Sequence, residues 1–295
     1  MRLLQVYEIF MTDRKVSGFT QKTLDYYHDS AGGWVRFILS KDPEVKLSGL
    51  SQWVKTYLLE LQERGTSPNT RQTYLRGIKT FVRFLHHEGY IETPVDIPKL
   101  KVPQVIIRPL SIQQMRMVLH SFDEKTFTGL RNQTLLRLLF DSGLRLMEVS
   151  DIELDDLNLE EGFVLIRGKG QKERWVPFGK ETSKALWRYF KQRERFVRDG
   201  NPALFIKRDG DRLDARGVQM VFKRLRKKIN LKGVRLSPHT ARHSFALAYI
   251  ENGGDPFSLQ RILGHTTQTM TSRYINMAKR SVKAQHEKFS IGNVL

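Results

Sequence analysis

The sequence predicts a mainly α-helical protein of the α+β class, two domains long, with one small antiparallel β-sheet confined to the second domain. Three observations carry that prediction. Residues 1 to about 97 place apolar side chains at spacings of three and four between turn signals, a proline-rich break follows, and two short β runs then meet across a glycine-containing loop in an otherwise helical second half. At 295 residues the chain is long enough for two domains of ordinary size, each burying its own core.

Taken in order, the start MRLLQVYEIFMTDRK reads as the first helix and not as a signal peptide, since Glu8 interrupts its apolar run and no small-residue cleavage site follows. The clearest helix of the first domain follows Ser67-Pro68-Asn69-Thr70, a run of helix-start residues. From there Tyr74, Ile78, Phe81, Val82 and Leu85 form one apolar stripe, while Arg71, Arg76, Lys79 and Arg83 fall between them. That basic side is either a solvated face or a track for a phosphate backbone, and Arg71 and Lys79 are its candidate contacts.

Four prolines in TPVDIPKLKVPQVIIRPL, residues 93 to 110, interrupt both periods, so the domains are expected at 1–97 and 111–295 with a linker over 98–110. Ser111 to about His120 is helical by period. Arg131 to Asp141 is apolar enough through Leu135, Leu136, Leu138, Leu139 and Phe140 to be a core helix, ended by Ser142-Gly143. Phe163 to Arg167 and Arg174 to Phe178 are the β runs, joined by Gly168-Lys169-Gly170-Gln171-Lys172-Glu173 as a hairpin. From Glu181 onward the periods are helical, with a basic block KRLRKKINLK at 223–232 and a break around Gly253-Gly254-Asp255-Pro256.

Composition narrows the function. The formal net charge is +19, well beyond what solubility needs, so a polyanion is the expected partner, and nucleic acid leads that class. Residues 1–100 carry +3 of it and residues 101–295 carry +16, which puts the electrostatic signal in the second domain. No stretch approaches the roughly 18 consecutive apolar residues of a spanning helix, so no membrane partner is expected. The absence of cysteine excludes disulfides, thiolate zinc sites and thiol nucleophiles, and it fits a cytoplasmic location. Covalent chemistry must therefore use oxygen or nitrogen.

Four short segments hold residues suited to such chemistry: Ser142-Gly143-Leu144-Arg145-Leu146-Met147-Glu148, Gly168-Lys169-Gly170, His239-Thr240-Ala241-Arg242-His243, and Leu263-Gly264-His265 with Ser272-Arg273-Tyr274. Singly, each has an ordinary structural explanation, such as an ion pair, a turn lysine or a half-buried aromatic. Together they resemble the signature of the tyrosine recombinase or phage integrase family, which includes phage and transposon integrases and the Xer-type recombinases. The order Arg145, Lys169, His239, Arg242, His265, Tyr274 is the family's order, with separations of 24 from Arg145 to Lys169, 3 from His239 to Arg242, 26 from His239 to His265 and 9 from His265 to Tyr274. The likeness covers the whole second domain, and the helical first domain resembles the family's SAM-like core-binding domain, which binds DNA.

The resemblance implies a site-specific recombinase that cleaves and rejoins DNA through a 3′-phosphotyrosyl bond, with Tyr274 as nucleophile. Attack at phosphorus builds negative charge on the nonbridging oxygens, and fixed guanidinium forks stabilise that charge, which suits Arg145 and Arg242. A phenol with a pKa of about 10 needs help to ionise, and His239 is the candidate base. By resemblance Lys169 protonates the departing 5′ oxygen, His265 hydrogen-bonds the phosphate, and Glu148 orients the cationic groups. The ester conserves the linkage energy, so no cofactor is expected. No GxxxxGK[ST] loop and no two-metal carboxylate cluster is present. His239 and His243 do stand at i and i+4, as in zinc helices, but the glutamate that follows the first histidine there is missing, and no metal is expected.

Family likeness further implies a double-stranded DNA recombination site as partner, a clamp around it, a homo-tetramer on DNA, and accessory DNA-bending proteins in some systems. It also implies a tail, residues 281–295, that docks into a neighbouring protomer or packs in cis. Lys172, Arg174, Lys223, Arg224 and Lys227 join Arg71 and Lys79 as candidate DNA contacts. A mobile-element integrase is the expected role, since linker and tail do not closely resemble those of the Xer pair; a chromosome dimer resolvase is the alternative. A type IB topoisomerase-like enzyme is disfavoured by the small helical first domain, and a catalytically silent DNA-binding protein by the intact set of six residues.

Overall fold

The computed structural model describes residues 2–103, 108–168 and 173–264, together with Tyr274, His286, Glu287, Ser290 and Gly292. Lys169, Lys172, His265 and most of the expected tail lie outside the described residues. The chain divides into two compact units, 1–105 and 106–295, and the division falls inside the proline-rich stretch.

The first unit holds helices α1 (Leu3–Val16), α2 (Gln21–Lys41), α3 (Leu50–Glu63) and α4 (Pro68–His87), with a single 3-10 turn before α3. Helix α2 lies against α1, α3 and α4. The core is aromatic: Phe10, Trp34 and Phe81 are fully buried, and the Trp34 indole N–H donates to the Trp53 carbonyl at 3.1 Å. α4 starts where the sequence puts it, with Ser67 Oγ accepting the Thr70 N–H at 3.1 Å and Pro68 in the first helical position, where its missing donor costs nothing. Its buried stripe is rotated slightly from the expected one: Leu75 is buried and Tyr74 only half-buried, its ring 6.4 Å from that of Tyr57. Arg76, Lys79 and Arg83 are exposed as expected, whereas Arg71 is half-buried and donates to Gln62 of α3.

The second unit contains α5 (Ile112–His120), α6 (Phe127–Ser142), α7 (Leu146–Asp151), strands β1 (Leu157–Asn158), β2 (Phe163–Arg167) and β3 (Glu173–Pro177), then α8 (Lys180–Arg193), α9 (Ala215–Lys228), α10 (Pro238–Glu251) and α11 (Pro256–Leu263). α6 is the central helix, packed on α5, α8 and α10. Leu135, Leu136, Leu138 and Leu139 of α6 are all fully buried, so cutting any one back to alanine costs about 2–5 kcal/mol. The sheet is antiparallel in the order β1-β2-β3, with Val164 opposite Val176 and Ile166 opposite Arg174. Because strand side chains alternate, Val164, Ile166 and Val176 go to the core while Trp175 faces out. Arg174 shares the inward face with Val176. β1 is a two-residue strand that adds to the expected hairpin.

Candidate functional site

Helix ends build the site. α6 stops at Gly143, whose φ of 62° is a left-handed conformation natural to glycine, and a Cβ there would come within 2.3 Å of the Phe245 ring. The turn brings Arg145 to the start of α7, where Glu148 closes back on it: Glu148 Oε2 accepts the Arg145 backbone N–H at 2.8 Å, and Oε1 accepts Arg145 Nη1 at 2.7 Å. Arg174 of β3 donates from Nη2 to Oε2 of the same carboxylate at 2.9 Å. Arg242 of α10 approaches it at 4.0 Å.

The same three arginines meet a second acceptor set. α11 ends at Gly264, again left-handed with a φ of 63°, and leaves its last carbonyls without partners inside the helix. Arg174 Nε donates to the Ile262 carbonyl at 2.9 Å, Arg242 Nη2 to that of Leu263 at 2.6 Å, and Arg145 Nη2 to that of Gly264 at 3.2 Å. Arg242 Nη1 also donates to the Gly143 carbonyl at 2.8 Å. Two helix C-termini, each carrying partial negative charge, thus hold the guanidinium groups. The bonds to Arg145 and Arg242 leave further N–H donors on each fork for a bound anion.

Electrostatics follow from burial. The Glu148 side chain is only 8% exposed. Desolvation alone would raise its pKa, but hydrogen bonds from Arg174 and from the Arg145 backbone, with the attraction of Arg174, outweigh it and hold the carboxyl below its ordinary value. Arg242 is as deeply buried, and desolvation, followed by repulsion from Arg145, brings its pKa down to about 10, so it remains a cation at neutral pH. Arg145 is the accessible member, with 41% of its side chain exposed.

Tyr274 is 4% exposed and packs in an apolar cluster with Phe245, Ala246, Ile250, Leu259 and Leu263, between α10 and α11. Its hydroxyl lies 2.6 Å from His243 Nδ1. His239 is exposed in the first turn of α10, a helix capped by Ser237 Oγ on the Thr240 N–H at 3.1 Å. The structure therefore gathers Arg145, Glu148, Arg242 and Tyr274 with the first turn that carries His239. Lys223, Arg224 and Lys227 are exposed on α9.

Two residues take places that sequence reasoning did not give them. Arg174, grouped by sequence with the DNA contacts, is turned inward with 16% of its side chain exposed and is held by Glu148 and Ile262. The strand period carried that signal, since position 174 shares a face with Val176. His243, noticed in the sequence only as half of a zinc-like spacing, contacts the tyrosine hydroxyl.

The family model described as the phage integrase family matches residues 109–281. The chain is 31% identical over 233 residues to the tyrosine recombinase XerD of Listeria innocua, spanning 77% of this chain and 78% of that one. It is 31% identical over 238 residues to the tyrosine recombinase XerC of Chlamydia caviae, spanning 80% and 76%. Among solved structures, the Tn1549 transposon integrase in complex with transposon right end DNA superposes with a TM-score of 0.79 at 22% identity, over 98% of this chain and all of that one. The chain belongs to the phage integrase family of tyrosine recombinases. Its activity is site-specific recombination by tyrosine-mediated DNA strand exchange. Among the described residues no helix is long and apolar enough to cross a membrane.

Proposed function

We propose that Tyr274 is the nucleophile and that Arg145 and Arg242 receive the scissile phosphate of a double-stranded DNA recombination site. The observation that carries this reading is the pair of guanidinium groups anchored to the ends of α6 and α11 beside a buried tyrosine whose hydroxyl is already hydrogen-bonded. Such anchoring fixes the donors before reaction, so that they stabilise the charge developing on phosphorus without reorganising. Attack by the phenol oxygen yields a 3′-phosphotyrosyl bond and a free 5′-hydroxyl. By family likeness Lys169 protonates that leaving oxygen, His239 is the candidate base, His265 hydrogen-bonds the phosphate, and Glu148 positions the arginines.

The exposed basic face of α9, with Lys223, Arg224 and Lys227, is assigned to the phosphate backbone, as are Arg71, Lys79 and Lys172. Four copies on DNA form the recombining assembly. Integration of a mobile element is the role expected from sequence. Resolution of chromosome dimers is a second reading, favoured by 31% identity to XerD and XerC proteins over more than three quarters of this chain.

The test is to incubate the full chain with fragmented chromosomal DNA from the organism that encodes it, stop with detergent, and sequence the ends of covalently held fragments. A phosphotyrosyl peptide containing Tyr274, absent from Tyr274→Phe, is the expected result. An adduct that persists in Tyr274→Phe refutes the assignment. Recovered ends at the boundary of an inserted element indicate integration, and ends near the replication terminus indicate dimer resolution.

A further inference from the structure

We propose that Arg174 is a positioning residue of the strand-exchange reaction: without touching DNA, it holds the Glu148 carboxylate and the end of α11 in the arrangement that presents Arg145 to the scissile phosphate. This inference rests on the assignment of Arg145 to that phosphate. Its starting point is a closed ring of contacts. Glu148 Oε1 accepts Arg145 Nη1 at 2.7 Å, and Arg145 Nη2 donates to the Gly264 carbonyl at 3.2 Å. From the same helix end the Ile262 carbonyl accepts Arg174 Nε at 2.9 Å, and Arg174 Nη2 returns to Glu148 Oε2 at 2.9 Å. Arg174 is the member that closes the ring between α7 and α11.

The link has a rigid base. Arg174 pairs with Ile166 of β2, and its side chain leaves the inward face of the sheet beside Val176. At its far end the guanidinium lies against Gly264, where a Cβ would stand 3.1 Å from both Cζ and Nε, so glycine leaves the room it needs. Both Arg174 and the Arg145 backbone donate to Glu148 Oε2, which turns Oε1 toward the Arg145 side chain. Exposure divides the roles: 41% of the Arg145 side chain reaches the surface and only 16% of that of Arg174.

Stability alone does not account for an arginine at this place. Replacing buried ion pairs by apolar side chains of similar volume is often neutral or stabilising, and position 174 already shares a face with core residues. Glu148 has a partner in Arg145 without it. A further cation also brings repulsion, since after desolvation and Arg145 it is Arg174 that lowers the pKa of Arg242. What the guanidinium adds is direction: Nε–H and Nη2–H leave one planar fork toward acceptors on two different elements, which an apolar residue or a lysine cannot reproduce.

Two measurements test this, each on Arg174→Lys, which keeps the charge, and on Arg174→Gln, which keeps a donor. The first needs no DNA: in the full chain labelled with 15N-arginine, the side-chain resonances of Arg145 and Arg242 are identified by their loss in Arg145→Lys and Arg242→Lys. In the Arg174 variants the Arg145 signal should shift and exchange with solvent faster, while that of Arg242, pinned to the Gly143 and Leu263 carbonyls, keeps its protection and reports an intact fold. An Arg145 signal indifferent to both variants, or equal loss at the two arginines in both, overturns the proposal. The second measurement uses the duplex recovered by adduct trapping. The variants should bind it like the parent chain and form adduct about 10- to 10²-fold more slowly, the penalty for a phosphate-binding group displaced by about an ångström. Combined with Arg145→Lys, Arg174→Lys should slow the reaction little further, because its effect passes through Arg145. Full-speed adduct formation, losses that multiply in the double variant, or weaker binding with a flatter salt dependence refutes the role of Arg174. Parent-like adduct formation by Arg145→Lys instead refutes the assignment of Arg145 to the phosphate.

Discussion

Replacing Glu148 by glutamine removes one negative charge and keeps the shape. In the parent chain this carboxylate accepts from Arg145 Nη1 at 2.7 Å, from Arg174 Nη2 at 2.9 Å and from the Arg145 backbone, and it faces Arg242 at 4.0 Å. The amide offers one oxygen for these donors and turns its own N–H groups toward a guanidinium. Taking away one member of a buried ion pair costs about 3–5 kcal/mol, because the partner's charge stays behind. The retained oxygen places Glu148→Gln near the lower end, about 3 kcal/mol, or roughly a hundredfold in an opening equilibrium. Native-state hydrogen exchange of α6 and α7 reads this within the second unit alone, which matters because a chain of two units need not unfold in one step. The folded carboxyl titrates below its ordinary value of 4.5, so its contribution is fully present above that value and fades as pH falls through the folded pKa. The gap between parent and variant should therefore be widest near neutrality and narrow in acid. Protection equal within about 1 kcal/mol at neutral pH, or a gap that ignores acidification, refutes the reasoning.

Two further outcomes follow from the same contacts. Arg174→Lys keeps the charge but cannot span Glu148 and the Ile262 carbonyl together, so a loss of about 1–3 kcal/mol is expected, with slower adduct formation at unchanged DNA affinity; a fall in affinity alone would return Arg174 to the phosphate backbone. Substituting Lys223, Arg224 and Lys227 of α9 together by alanine should flatten the log–log dependence of DNA affinity on salt by about 0.9 for each lost phosphate contact, measured by titration at several salt concentrations, whereas an unchanged slope would remove that face from the interface.

Much of this architecture is legible locally because it is locally decided. Ser67 and Ser111 each accept the backbone N–H three residues on and start a helix where the sequence marks one, and Gly143 ends α6 with the left-handed turn its lack of Cβ permits. The β runs pair in the expected register class because period-two burial and the intervening glycines point the same way. The α4 stripe was harder to place, since Tyr74 and Leu75 both border a wide apolar face and only contact with Tyr57 decides which turns in. Within the site, residue types were legible and acceptors were not. No spacing rule tells that Ile262, Leu263 and Gly264 turn their carbonyls to three arginines drawn from β3, α10 and α7, because that fact belongs to the packing of α11 on β3 and α10.

That shared acceptor explains why the arginines act as a unit. The end of α11 and the Glu148 carboxylate each bind Arg145 and Arg174, while Arg242 is held by α11 and by the end of α6. Moving α11 by an ångström would disturb all three guanidinium groups, and its last residue belongs to the apolar cluster that holds Tyr274. The tyrosine and the three guanidinium groups are thus referred to one short helix, so their relative positions survive small displacements of the rest of the second unit. A catalytic constellation needs that property, since rate depends on the geometry among the reacting groups and not on where the whole set sits.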